Sequence, residues 1–347
     1  MTDSDSPDFQ TSQTADKNSG RFLTLDVLRG IAAAAVFLFH CVIRNPGWQD
    51  NPLRFGAAGV DLFFMISGFV IFHSLSRNNA LRPFLLKRFL RLYPAYWAAL
   101  TFTAAIILFQ SRGALPQNFV ATYLSNLTMI QHMLGFANID DQYWTLEVEL
   151  MFYAFVALLV WLNQLKNIVV IAFSFLIPYS LLWTTGLIPA GAIRQLEHFA
   201  HLPLFLTGIV MYRIIRNGVG AAGILNLILA IGAAILLFNT GGRSRYYMNQ
   251  YEYAFILTLL TVVFYLAVSG RLAFLNIKPL LFLGKISYSF YLIHQYFTVR
   301  FLMPILGKSG LPTLYAIALS FLICTAGAWI LYRFLEEPIS RLVKGRF

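Results

Sequence analysis

From Leu23 almost to the end, the chain repeats one pattern: an apolar run long enough to cross a bilayer, at about 20 residues, followed by a short polar break. The runs fall at approximately 23–43, 56–76, 93–110, 144–162, 167–185, 198–215, 221–239, 252–268, 283–305 and 313–335. They do not alternate at period two, so they read as helices rather than barrel strands, and lipid accepts only those two solutions for a spanning backbone. The pattern predicts an all-α polytopic integral membrane protein with about ten transmembrane helices. A shorter apolar piece at 119–133 reads as re-entrant or interfacial. Residues 1–21 are polar, with Asp3, Asp5, Asp8 and Asp16 against Lys17, and lack the basic-then-apolar order of a cleavable signal. They are expected to be a disordered cytoplasmic tail, with one transmembrane domain over 22–340 and a short basic tail at 341–347.

Composition sharpens this. Hydrophobic residues make up 58% of the chain and charged residues 12%, which all but excludes a soluble fold. Cys41 and Cys324 form neither a disulfide framework nor a metal-type spacing. The net charge of +11 is read as a topology signal rather than a nucleic-acid surface, because Lys and Arg in short loops stay on the cytoplasmic side. Placing both termini in the cytoplasm puts more than half of the basic residues in inner segments. The strongest support is the stretch after the second run, where Arg77, Arg82, Lys87, Arg88 and Arg91 occur with no acidic residue among them. That cluster fits a topology determinant at an anionic leaflet or a ligand role equally well.

Some residues are costly where they stand. The first run, LDVLRGIAAAAVFLFH, carries Asp26, Arg29 and His40, and a charge near the middle of a span costs roughly 2.5–3.5 kcal/mol. Asp26 and Arg29 are three apart and can neutralise each other on one face. Arg29 and His40 are eleven apart, which puts them on nearly the same face and about 16 Å apart along the axis. Taken alone, His40 could equally be a hydrogen-bonded interior histidine. Asp61, Glu149 and His294 fall at similar depth in their own runs and are expected to join His40 in a polar cavity. A carboxylate on one imidazole nitrogen would fix its tautomer and raise its basicity for general-base chemistry.

Other candidates are weaker. Glu197, His198 and His201 place two imidazoles beside a carboxylate, but two ligands do not make a site, so no metal is expected. His73 and His132 read as interfacial. Cys41 points about 100° away from His40 around the helix. Tyr93, Tyr96 and Trp97, and Tyr246, Tyr247 and Tyr251, read as interfacial belts. Ser67-Gly68-Phe69 fits close helix packing as readily as a binding motif.

The run Leu25-Asp26-Val27-Leu28-Arg29-Gly30 followed by His40 resembles the opening of the membrane-bound acyltransferase 3 family, in which ten residues separate the Arg from the His. Further motifs follow in the family's order: Gly59-Val60-Asp61-Leu62-Phe63-Phe64 into Ser67-Gly68-Phe69; Lys87-Arg88-Phe89-Leu90-Arg91 into Pro94-Ala95-Tyr96-Trp97; Trp144-Thr145-Leu146-Glu147-Val148-Glu149 with Phe152-Tyr153; Gly284 to Ser289 with Tyr291 to His294; and Glu337-Pro338. Thr145 stands where a serine is common. The resemblance implies a ten-helix bacterial inner-membrane enzyme. It would move an acyl group, usually acetyl, from cytoplasmic acyl-CoA to a hydroxyl of a carbohydrate or glycolipid acceptor. Some relatives continue into an SGNH hydrolase-like domain. None is expected here, which leaves the acceptor to the membrane portion or to a separate periplasmic acyl-handling protein.

Physical chemistry and resemblance then converge. A thioester needs no metal, only a hydroxyl that loses its proton as it attacks, and CoA phosphates need cations. His40 is expected as general base, with Glu149 and Asp61 as supporting acids. Arg29, Arg88, Arg91, Ser67, Gly68 and Phe69 are expected at the donor, and His294, Trp144 and Tyr288 in the substrate cavity. An acyl-histidine intermediate would use the same His40 differently. A transporter of a glycolipid or polysaccharide unit would also bury ionisable residues at midplane, although the second half shows no matching repeat.

Overall fold

The computed structural model describes residues 22–43, 50–187, 197–239 and 247–346, with side chains through 343. The proposed tail at 1–21 lies outside them. In chain order the longer helices are α1 (Leu23–Ile43), α2 (Gly59–Arg77), α3 (Leu81–Gln110), α4 (Phe119–Asn126), α5 (Trp144–Trp161), α6 (Ile168–Thr184), α7 (Leu202–Asn217), α8 (Ala221–Leu236), α9 (Gln250–Val268), α10 (Lys278–Gln295), α11 (Met303–Lys308), α12 (Thr313–Leu331) and α13 (Glu337–Arg346).

Each of the ten apolar runs lies on a helix. Among the described residues, eight helical stretches are long and apolar enough to cross a membrane. The other two runs are α8, which is shorter, and α10, which carries Lys285, Ser287, Ser289 and His294. The second half of α10, with Ser287, Ser289 and His294, is buried in the bundle against α1, α12 and α3 and need not face lipid, whereas Lys285 is exposed. Burial follows the same logic: 78% of the apolar window of the α7 stretch is buried but only 28% of that of α12. Outer helices present apolar side chains outward, as with Leu314, Leu322 and Ile330 on α12 and Leu225, Ile228 and Leu236 on α8. Several helical hydroxyls bond back to the preceding turn, as Thr207 does to the Pro203 carbonyl and Thr261 to that of Leu257, and so bring no unmet polarity into the apolar layer.

Two differences from the sequence-based expectation affect the site. The basic stretch expected as a loop is helix: Arg82, Lys87, Arg88 and Arg91 lie within the first eleven residues of α3, which runs for 30 residues. Pro83 sits in its opening turns, where a missing N–H costs nothing. The short piece at 119–133 splits into the eight-residue α4 and a series of turns.

Glycine sets the two closest crossings. A Cβ on Gly30 would meet the backbone of Gly284, and one on Gly284 would collide with the Asp26 carbonyl, so α1 and α10 touch backbone to backbone. Above that crossing Phe37 meets Phe290 and His40 meets His294, so the two helices run parallel. Likewise a Cβ on Gly68 would strike the Phe205 carbonyl and one on Gly208 that of Met65, which locks α2 to α7.

Candidate active site

The α1–α10 contact fixes the site because it sets one functional side chain above another along two parallel helices. Near the start of α1, Arg29 lines an open cavity of about 570 Å³ together with Ser67 of α2, Arg91 of α3, Glu149 of α5, and Tyr288 and Tyr291 of α10. Glu149 is held in place by two hydroxyls: its Oε1 accepts from Ser67 Oγ at 3.0 Å and from Tyr153 at 2.5 Å. Arg29 donates to Asp26 at 3.3 Å, so the self-neutralising pair forms and still leaves Arg29 on the cavity wall. Arg91 is exposed to the cavity and makes no hydrogen bond or ion pair among the described residues, although Glu149, Glu336 and Asp26 are near enough to act on its charge. Arg88 lies beneath, over the rings of Phe84 and Tyr153. Tyr288 donates to the Leu92 carbonyl at 2.8 Å, tying α10 to α3. Behind it, Glu336 accepts from the backbone N–H and the hydroxyl of Ser289.

Farther along α1 lies a second group. The His40 ring is 5.3 Å from that of His294, which in turn is 5.3 Å from Tyr291 on the cavity wall. The fully buried His294 places Nδ1 2.8 Å from the Tyr291 carbonyl. A carbonyl only accepts, so Nδ1 carries the proton, and Nε2 keeps its lone pair with no hydrogen bond. Immediately after this histidine the helix widens into π-type turns over Tyr296–Leu302, a local irregularity common at functional sites. Gln142 and Tyr143 hold the Leu292 carbonyl from the other side. Asp140, only 1% exposed, accepts from the Tyr296 N–H at 3.1 Å, and burial pushes its carboxyl up to about 7 against that hydrogen bond.

The predicted residues therefore divide. Arg29, Ser67, Arg91, Glu149 and Tyr288 share the cavity; His40 and His294 pair beyond Tyr291 and do not line it. Of the residues expected to share one cavity, Glu149 is on its wall, whereas His40 and His294 lie past Tyr291 and off that wall. Asp61 is buried at the start of α2, one oxygen without a hydrogen bond, and is not on the cavity wall. Gly68 and Phe69 serve packing: the glycine admits α7, and the phenylalanine is fully buried against Phe22, Tyr212 and Phe264. Trp144 packs on Phe64 and His201 rather than on the cavity. Sequence reasoning does not single out Tyr153 and Tyr291, the groups that hold Glu149 and stand between the cavity and His294. Both fall within the motifs, and their i+4 and i−3 spacing from Glu149 and His294 is the available signal.

Residues 22–333 match the family described as an acyltransferase domain. The chain is 29% identical over 292 residues to a protein of Komagataeibacter xylinus named as a putative membrane-bound transacylase, BcsY, covering 78% of this chain and 71% of that one. It is 29% identical over 361 residues to the O-acetyltransferase OatA of Staphylococcus aureus, covering 93% of this chain but only 58% of that protein's length. It is 25% identical to the acyltransferase MdmB of Streptomyces mycarofaciens, covering 94% and 93% of the two chains. No solved structure matches it.

Proposed function

This chain belongs to the acyltransferase 3 family of polytopic membrane proteins, and from that premise we propose that it transfers an acyl group, acetyl in the simplest case, from acyl-CoA to a hydroxyl of a carbohydrate or glycoconjugate. The observation that carries the reading is the order of unlike groups along α1: an arginine-lined cavity at one end and the neighbouring His40 and His294 rings at the other, with the Tyr291 ring between them. Arg91, with no partner among the described residues, and Arg29 suit the phosphates of a coenzyme, since guanidinium–phosphate bonds are directional and strong. In this reading the Arg29 end faces the cytoplasm of a bacterial cell, where acyl-CoA is made, in keeping with the basic residues of α3 at that end.

The thioester then lies with its carbonyl toward Tyr291 and the acceptor hydroxyl comes from the His40 side. His40 takes the hydroxyl proton as oxygen attacks the carbonyl carbon. The C–S bond breaks, the acyl group passes to oxygen, and CoA leaves as thiolate or, after protonation, as thiol. His294, with Nδ1–H on the Tyr291 carbonyl, positions the partner ring. Glu149, held by Ser67 and Tyr153, orients the arginine wall. No metal is needed for this chemistry. Membership in an acyltransferase family leaves the transporter alternative without an observation in its favour.

The test is direct. The purified protein in nanodiscs, given radiolabelled acetyl-CoA and a panel of saccharide acceptors, should label an acceptor in the wild type and fail in His40→Gln while still binding acetyl-CoA. Equal labelling by both proteins would remove His40 from the chemistry. Failure to bind acetyl-CoA at all would overturn the donor assignment.

A further inference from the structure

Off the cavity wall, the turns after α4 and the entries to α5 and α7 hold a cluster that the acyl-transfer reading does not use. His132 lies in the turns after α4, Glu197 and His198 in the short 3₁₀ turn that leads into α7, and Glu147 in the first turn of α5. Ligand atoms of His132, Glu197 and His198 all lie within 4.8 Å of one another. His132 Nε2 stands 3.9 Å from Glu197 Oε1, and His198 Nε2 stands 3.9 Å from Glu147 Oε2. Both separations are too long for hydrogen bonds, yet the polar atoms converge. Glu147 is the second, independent observation: it is 0% exposed, its Oε1 is taken by the Met133 N–H at 3.1 Å, and its Oε2 accepts no hydrogen bond.

A carboxylate oxygen buried without a donor calls for a cation nearby. Two imidazolium ions could supply the charge, but the His132 and His198 rings are 5.2 Å apart, and two such cations would repel each other. One divalent ion serves both acidic groups while the imidazoles stay neutral, the form in which histidine binds metal. Imidazole with carboxylate suits a zinc-class first-row ion rather than calcium or magnesium. A tetrahedral ion with bonds of about 2.0–2.1 Å holds its ligand atoms roughly 3.3 Å apart, which these side chains reach by rotamer adjustment from their present spread.

We infer that His132, Glu197 and His198 form a three-ligand site for a zinc-class divalent ion, with Glu147 as the buried carboxylate that orients His198. Metal-bound histidines commonly give their second ring nitrogen to such a carboxylate. The ligands come from a loop and a helix end far apart in sequence, so the ion would pin the turns after α4 to the entry of α7. Those elements surround Trp144 and His201, whose rings lie 5.0 Å apart. His132 and Glu197 are half exposed, so the ion reaches the site from outside, and the fourth position is left for water or another ligand.

Metal content tests this without reference to acyl transfer, so its failure and that of the proposed function are separable. The full chain is purified in detergent through a tag lacking histidine, incubated with Zn²⁺ or Co²⁺ and desalted. Elemental analysis should find about one equivalent in the wild type, and Co²⁺ should give the visible absorption of a four- or five-coordinate ion. His132→Ala and Glu197→Gln, both on half-exposed side chains, should remain monodisperse yet lose at least about tenfold in retained metal. Wild type holding no more metal than the double variant H132A/E197Q would overturn the inference, as would a Co²⁺ spectrum unchanged by either substitution.

Discussion

Around the Arg29 cavity three carboxylates of the described residues meet donors: Asp26 meets Arg29, Glu149 meets Ser67 and Tyr153, and Glu336 meets Ser289. At the His40 end Asp140 keeps an oxygen that accepts no hydrogen bond and His294 keeps a bare Nε2, and Asp61 and Glu147, on the stretches of α2 and α5 between the two ends, each keep one as well. The first end has satisfied its acids and retains guanidiniums on a cavity wall, ready for a polyanion. The second has spare acceptors, which suit groups that bring protons or positive charge, such as a hydroxyl-rich acceptor or a metal ion. In the proposed reaction, one helix would thus separate the phosphates of a coenzyme thioester from the group that takes the alcohol's proton.

The largest effect that sharpens this contrast comes from the second end. His40→Gln should lower acyl transfer by about 10²–10⁴-fold, the usual contribution of a positioned base, with acetyl-CoA affinity changed little. A variant that lost affinity and turnover together would show that the two ends do not divide the work. Arg91→Ala comes next. Losing a charge-assisted bond worth about 1.5–3 kcal/mol should raise the acyl-CoA KM by roughly tenfold to a hundredfold, leave kcat nearly unchanged, and weaken the salt dependence of binding. A fall in kcat at constant KM would place Arg91 in the chemistry instead.

A third variant acts on the joint between the ends. Gly284→Ala drives a Cβ into the Asp26 carbonyl, and the neighbour is backbone that cannot swing aside. Overpacking of this kind costs about 1–3 kcal/mol, so the thermal midpoint should fall by several degrees. Because α10 carries both Tyr288 and His294, donor affinity and turnover should decline together, unlike in the two preceding variants. A wild-type midpoint in this variant would show that α1 and α10 are not locked there.

Much of the contrast between the two ends is legible in the amino-acid sequence alone. Apolar run length locates the helices on which all ten runs lie, eight of them in stretches long and apolar enough to cross a bilayer. The cost of burying charge singles out Arg29, Glu149, His40 and His294, and helical periodicity puts Arg29 and His40 on one stripe. Periodicity says which way a side chain points but not what it meets. It therefore cannot show that Tyr291 stands between the cavity and the two imidazoles, or that Gly68 and Phe69 are spent on α7 and the core. Nor can it bring His132 to Glu197 and His198, since that meeting depends on how irregular turns after α4 fold back, where no repeat governs the chain. The basic stretch on α3 reads as a loop because its charge outweighs a helical pattern that simply continues beyond the apolar layer.

A fourth prediction asks whether the spare acceptors of the second end are charged. Asp140 is buried, and its carboxyl is raised to about 7 from an unfolded value near 3.9. Between those values the folded state holds a proton that the unfolded chain has released. Stability should therefore be full below about pH 4, fall as pH rises toward 7 by at most about 1.4 kcal/mol per unit, and level off above. Asn at this position keeps a carbonyl oxygen for the Tyr296 N–H but cannot ionise. Asp140→Asn should thus gain in thermal midpoint relative to wild type between pH 5 and pH 8. A difference constant across that range would mean that Asp140 is already ionised and met by a cation in the folded protein. The second end would then resemble the first, with one fewer acceptor to offer.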